Sequence, residues 1–345
     1  MAVRLINEAR QHHLTLDLAT LFAAPELHAL ASRLDQGSDV STGVIIFRES
    51  GSQRPLFIVP ESSGELLYGS VLTAAIDADI PVYGLVAPDR NQPTFKTVQG
   101  AAAHYVEGIR QAQPEGPYRL AGWSFGGTMA YEIAAQLLGQ DQSIEFLGLL
   151  DTWAMTPAED ENAKAAVTFE TPEEEIAAMS RELLTYQAEH MMTAKVTPEE
   201  VRSVLESTDW RDHFALAQKM DALPVTWSAD YFYQWLCHRR DLLNAEYEFI
   251  PLPVQLDLFM AQENNHHEAY LGWDQVLSAT SIQVTAVPGP HHELMSLPYV
   301  TDVGAAISLA IAARATACEQ DVPALNHLHP KGIKRPKVTI CRMTP

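Results

Sequence analysis

Positive charge is scarce in this chain. Its 345 residues hold 23 Lys and Arg against 44 Asp and Glu, a formal net charge of −21. No Lys/Arg stripe precedes Lys331, so a polyanion such as nucleic acid is excluded as the expected partner. Cysteine is scarce as well. Cys237, Cys318 and Cys341 lie far apart with no C-x-x-C spacing. That rules out a disulfide framework or a cysteine zinc site and suits a reduced cytoplasm. Long apolar runs are missing: none reaches the roughly 18 residues of a membrane span. The opening stretch "MAVRLINEARQHHLTLD" is amphipathic and soon interrupted by charge, unlike a signal peptide. The expectation is a cytoplasmic protein with no membrane contact.

What the chain does have is apolar side chains, 47% of the total, enough for a globular core. From residue 43 they gather into short runs: "GVIIFRES", "PLFIVPE", "PVYGLVAP", "YRLAGW", "IEFLGLLDT", "VQLDLFMA" and "IQVTAVPG". Helical stretches near 65–77, 97–113, 126–138 and 297–313 separate most of them. Strands alternating with helices predict an α/β fold with a mainly parallel sheet. The continuous apolar character of the strands predicts helices on both faces.

One segment breaks the alternation. Residues 157–250 contain no clear strand, and "TPEEEIAAMSRELL" and "TPEEVRSVLE" each open with a Thr-x-x-Glu capping box. Proline stands at the first helical position of both. This predicts a helical insertion, read as a lid because it begins just after a strand end where a site would lie. Its aromatic stretch "ADYFYQWL" puts Tyr231 and Trp235 on one helical face, with Phe232 and Tyr233 pointing elsewhere. A simple core helix needs only one such face and is the first reading; a face lining an acyl channel is the alternative.

At the two ends the pattern differs again. Residues 1–35 read as short helices, with apolar stripes at Ala2, Leu5, Ile6 and Ala9 and at Leu27, Leu30, Ala31 and Leu34. Residues 36–42 are polar and read as a linker, and residues 316–345 as a basic tail.

The chemistry centres on Gly122-Trp123-Ser124-Phe125-Gly126. An apolar strand leads in and a helix leads out, the setting of a nucleophile elbow. Glycines two residues before and after the serine remove side chains that would clash at the apex. Ser124 then stands above a helix N-terminus, where the Phe125 amide can bind an oxyanion. A serine hydroxyl needs a base, and the base needs an orienting acid. His291 and His292 in "VPGPHHELM" follow the last strand, and either can reach back. Asp151 ends the strand after the nucleophile helix, and Glu263 ends the next one. Both carboxylates would lie at the serine's edge of the sheet.

Residues 43–315 resemble the type I thioesterase domain that terminates nonribosomal peptide and polyketide synthetases, a branch of the α/β hydrolases. The matching stretches are "PYRLAGWSFGGTMAYEIA", "LLDTW", "LGWDQVL" and "VPGPHHELM". The resemblance implies an α/β-hydrolase fold with Ser124 as nucleophile, His291 as base and Asp151 as acid, ahead of His292 and Glu263. The family commonly has a His-Pro-Ala-Gly-Gly-type turn after its second strand, and one amide there completes the oxyanion hole. This chain reads "VPESSGELLYG" instead. The Glu61 amide is the best match and that of Ser62 the second.

Residues 1–35 resemble the last helices of a peptidyl or acyl carrier protein, with an "LFAAPELHALA" stretch but no G-G-x-S motif for a phosphopantetheine arm. The substrate implied is an acyl thioester on the phosphopantetheine of an upstream carrier. No bound cofactor or metal is expected.

Overall fold

The computed structural model describes residues 43–62, 64, 66, 68–87, 95–154, 169, 171–190, 196–223, 227–263 and 269–320, together with Ala31. The carrier-like segment (otherwise), the linker and the tail beyond 320 lie outside the described residues.

Among the described residues, seven strands form one sheet: β1 (Val44–Arg48), β2 (Leu56–Val59), β3 (Val82–Leu85), β4 (Tyr118–Trp123), β5 (Ile144–Leu150), β6 (Leu256–Ala261) and β7 (Ile282–Val287). Their order is β1-β3-β2-β4-β5-β6-β7. Only β1 runs antiparallel, against β3. Each apolar run expected to be a strand is one.

The runs are continuous because alternate side chains enter different layers. Phe57, Val59, Leu120, Leu147 and Leu149 face one core. Leu56, Ile58, Ala121, Phe146 and Leu150 face the other. The first layer packs under α2 (Val98–Ala112) and α3 (Phe125–Gly139), the second under α1 (Gly69–Ala75) and α8 (Tyr299–Gln320). Each fully buried Leu, Ile or Phe here contributes about 1.5–3 kcal/mol relative to exposure. The last helix runs to Gln320, past the boundary expected at 315.

The segment between β5 and β6 carries α4 (Pro172–His190), α5 (Pro198–Leu205), α6 (Trp210–Lys219) and α7 (Ala229–Leu243). Both expected caps form: Thr171 Oγ1 accepts from the Glu174 amide, and Thr197 Oγ1 from the Glu200 amide, each at 3.2 Å. These helices bury a core of their own.

The aromatic stretch packs as a core helix, the first of its two readings. Phe232 and Trp235 stack at 5.8 Å and are both buried, so the i, i+3 pair forms the inner face. Trp210 packs against Phe232 and Tyr233, and Trp227 against Tyr231, Phe232 and Trp235. The aromatic set therefore converges on this third core. An isolated helical wheel leaves the choice of inner face open, because α6 and the chain at Trp227 decide which faces are covered.

A buried polar pair joins α4 to α6. His213 Nδ1 lies 2.6 Å from Ser180 Oγ, whose hydrogen goes to the Ala177 carbonyl at 2.9 Å. His213 Nε2 is buried and makes no regular hydrogen bond among the described residues, although the Ser207 and Val204 carbonyls favour the protonated ring. Burial, reinforced by the Arg181 charge, lowers the His213 pKa from 6.5. A depressed folded-state value means that the unfolded chain binds a proton that the folded chain refuses. Stability then falls as pH drops below the unfolded value, and this residue adds no pH dependence above it. Thermal unfolding of wild type should lose up to about 1.4 kcal/mol per pH unit below about pH 6.5 from this residue. A His213→Gln variant should show a flatter acid limb. Parallel curves for the two proteins would refute the assignment.

Candidate active site

The chain leaves β2 for β3 on one side, then crosses back to β4 on the other. The crevice between β2 and β4 is thus a topological switch point, where open α/β sheets bind ligands. Parallel pairing sets Val59 beside Gly122. The turns after both strands leave the same edge at the same level.

At the end of β4 the backbone is strained. Ser124 has φ 56° and ψ −128°, a conformation that L residues hold only when the surroundings enforce it. The enforcement is visible. A Cβ on Gly122 would lie 2.0 Å from the Gly126 carbonyl, and one on Gly126 would lie 2.8 Å from that of Val59. The Ser124 amide donates to the Leu150 carbonyl at 2.9 Å, and Thr152 Oγ1 donates to the Ser124 carbonyl at 2.9 Å. Sequence reasoning missed Thr152 and Gly127. A Cβ on Gly127 would lie 2.0 Å from Thr152 Oγ1. The double glycine after Phe125 was the available signal.

Asp151 is fully buried and also has positive φ, 47°. Its amide donates to the Phe259 carbonyl at 2.7 Å, and its Oδ1 accepts from the Ala261 amide at 2.9 Å. The backbone of β6 therefore fixes the carboxylate, leaving Oδ2 toward His291 Nδ1 at 2.8 Å. His291 opens a single 3-10 turn after the Pro288-Gly289-Pro290 bend. Its Nε2 lies 3.1 Å from Ser124 Oγ. The Trp123 ring packs 5.5 Å from the imidazole and 5.6 Å from Tyr68.

The structure thus brings Ser124, His291 and Asp151 into one hydrogen-bonded line, the geometry of a serine hydrolase. It separates the alternatives from that line. His292 is exposed, with its ring edge-on to His291 at 5.0 Å. Glu263 is exposed in the turn after β6, where its charge raises the Tyr299 phenol pKa.

Two turns lie at the serine's edge of the sheet. Phe125 is the first residue of α3, and a helix supplies no acceptor for its opening N–H groups. The peptide joining Pro60 to Glu61 packs against α3: a Cβ on Gly126 would lie 2.9 Å from the Pro60 carbonyl. Burial, with the Glu61 charge, raises the Tyr68 phenol pKa, so its protonated hydroxyl donates to the Val59 carbonyl at 3.2 Å. That bond fixes the strand end just before the turn. Ser62 is buried, and its hydroxyl donates to Glu61 Oε2 at 2.9 Å. Among the described residues, no three or more His, Cys, Asp or Glu side chains are grouped to hold a metal, and no helix is long and apolar enough to cross a membrane.

Residues 54–307 match the family model described as Thioesterase domain. The dimodular nonribosomal peptide synthase of Bacillus subtilis (strain 168) is 36% identical over 158 residues, 44% of this chain and 7% of that protein. Malpinin synthetase of Mortierella alpina is 36% identical over 162 residues, again 44% of this chain but 2% of that protein. The chain therefore spans only a small part of the curated relatives it matches. The NocB thioesterase domain, solved as a covalent complex with a fluorophosphonate nocardicin G analog, is 25% identical with a TM-score of 0.52. That match covers 76% of this chain and 96% of that one. A four-domain nonribosomal peptide synthetase shares the fold at 19% identity and a TM-score of 0.60, over 93% of this chain and 24% of that one. The fold is that of an α/β hydrolase. Because the family match takes in β2, the elbow at Ser124, the buried Asp151 and the turn at His291, the chain belongs to the thioesterase-domain family.

Proposed function

We propose that this protein releases an acyl chain from the phosphopantetheine thiol of an upstream carrier, through an acyl intermediate on Ser124. The observation that carries the proposal is the Ser124–His291–Asp151 line at the switch point of the sheet. His291 Nε2 takes the Ser124 proton as Oγ attacks the thioester carbonyl. Asp151 holds the imidazole with its proton on Nδ1 and offsets the charge that develops there. The Phe125 and Glu61 amides bind the tetrahedral oxyanion. The intermediate collapses, and the thiolate leaves with the proton returned by His291. Water, or a nucleophile within the acyl chain, then attacks the acyl-serine, giving an acid or a macrocycle. Side chains and backbone amides carry every step.

In this reading residues 43–315 are the catalytic unit, and the insertion over 157–250 is a lid that admits or excludes water. Residues 1–35 are the end of a carrier, joined by the linker at 36–42, and the tail expected over 316–345 begins after α8 ends at Gln320. Relatives named as peptide and polyketide synthases support the carrier as partner, and the cytoplasm is the compartment proposed for this chain.

The test is mass spectrometry after mixing with an acyl thioester. The expected result is an acyl adduct on Ser124, formed slowly from a free pantetheine thioester. A longer chain bearing an intact loaded carrier should form it at least ten-fold faster, because encounter becomes intramolecular at an effective concentration of about millimolar. Equal rates would return a free-standing esterase as the better reading. Absence of an adduct would leave a module that binds a carrier without turnover.

A further inference from the structure

The turn after β2 departs from its family pattern by placing a carboxylate, that of Glu61, beside the proposed oxyanion donor. A negative charge there opposes the charge that forms on the substrate oxygen. The structure holds a counterpart on the insertion. Arg239 lies on α7, in sequence far from the turn, yet its Nε donates to Ser62 Oγ at 3.1 Å. Ser62 Oγ in turn donates to Glu61 Oε2 at 2.9 Å. The hydroxyl thus accepts from a cation and donates to an anion, which polarises both bonds in the same direction. Ser62 is buried and Arg239 half-buried, so solvent screens this link less than an exposed pair.

We infer that Arg239 is a positioning residue for the oxyanion turn, acting through Ser62 to orient and offset the Glu61 carboxylate so that the Glu61 amide meets the forming oxyanion. The inference rests on the serine mechanism proposed above. It adds a consequence for the insertion: α7 supplies part of the electrostatic setting of the reaction and does more than cover it. The turn supports the oxyanion with its cation link in place and opposes it without.

The role predicts a specific coupling. Single-turnover acylation of the whole chain by a pantetheine thioester separates the rate constant at saturation from the half-saturating concentration. Arg239→Met should lower the rate constant roughly ten-fold or more, with half-saturation changed less than about two-fold. In a Glu61→Gln background the same Arg239→Met change should cost less than about three-fold, because no carboxylate remains to be offset. Arg239→Lys, which keeps the charge, should lose clearly less than Arg239→Met. An arginine that merely held α7 in place would cost the same in both backgrounds, and that result would overturn the inference. So would Arg239→Lys being as slow as Arg239→Met, or wild-type rates in every variant. A missing Ser124 adduct in wild type would remove the serine mechanism and this inference together. A wild-type adduct with no Arg239–Glu61 coupling would remove this inference alone.

Discussion

Replacing Ser124 with alanine should reduce thioester turnover by a factor of roughly 10⁴ or more while leaving the fold intact. The substitution deletes one oxygen, and the contacts that hold the elbow do not use it. The Leu150 carbonyl grips the Ser124 amide, and Thr152 grips the Ser124 carbonyl, both backbone groups that alanine retains. Alanine at φ 56° carries the same backbone strain as serine, so stability should move little. Thiol release from an acyl-pantetheine, with unfolding followed on the same samples, tests both halves. Substantial residual turnover by a folded variant would remove Ser124 as nucleophile.

Asp151→Asn should be nearly as severe, at about 10⁴-fold in kcat, and the reason lies in the backbone of β6. The Ala261 amide donates to Oδ1, so an asparagine must turn its oxygen there. Its NH2 group then faces His291 Nδ1, and the imidazole can only accept. The ring proton moves to Nε2, the atom that must take the Ser124 proton, and the base is lost. Glu263→Gln should change kcat by less than about three-fold, since its carboxylate stands exposed outside the line. The same contrast separates His291→Ala from His292→Ala. A reversed ranking of either pair, measured as kcat on one thioester, would move that role to its neighbour.

The sheet and the hydrogen-bonded line of Ser124, His291 and Asp151 were legible because both are encoded locally. A strand buried on two faces must be apolar throughout, and an elbow needs its glycines next to the serine. Asp151 and His291 end strands or follow them, so order along the chain nearly fixes their place. What stayed hidden depends on distant partners. Nothing in "VPESSGELL" announces that Ser62 meets Arg239, 177 residues away. Thr152 looked like the neighbour of an acid until Gly127 met it across the elbow. The stretch "ADYFYQWL" was legible only in part, for a related reason. Helical spacing states which aromatics share a face, but only the packing of α6 and Trp227 decides which face is inside.

The pairing of Val59 with Gly122 has a metrological consequence. Each residue of a strand advances the chain about 3.3 Å, and a one-residue slip also reverses every side chain. Reacting groups, by contrast, tolerate misplacement of only about 0.5 Å. No smaller error in the β2–β4 ladder exists than one that destroys the site outright. The spacing between nucleophile and proposed oxyanion donor is therefore quantised by the ladder, and the turns supply only the fine adjustment. A thioesterase built this way keeps its reaction distance when the insertion or the turn side chains change, because that gauge is cut into the sheet itself, while those side chains tune the charge around it.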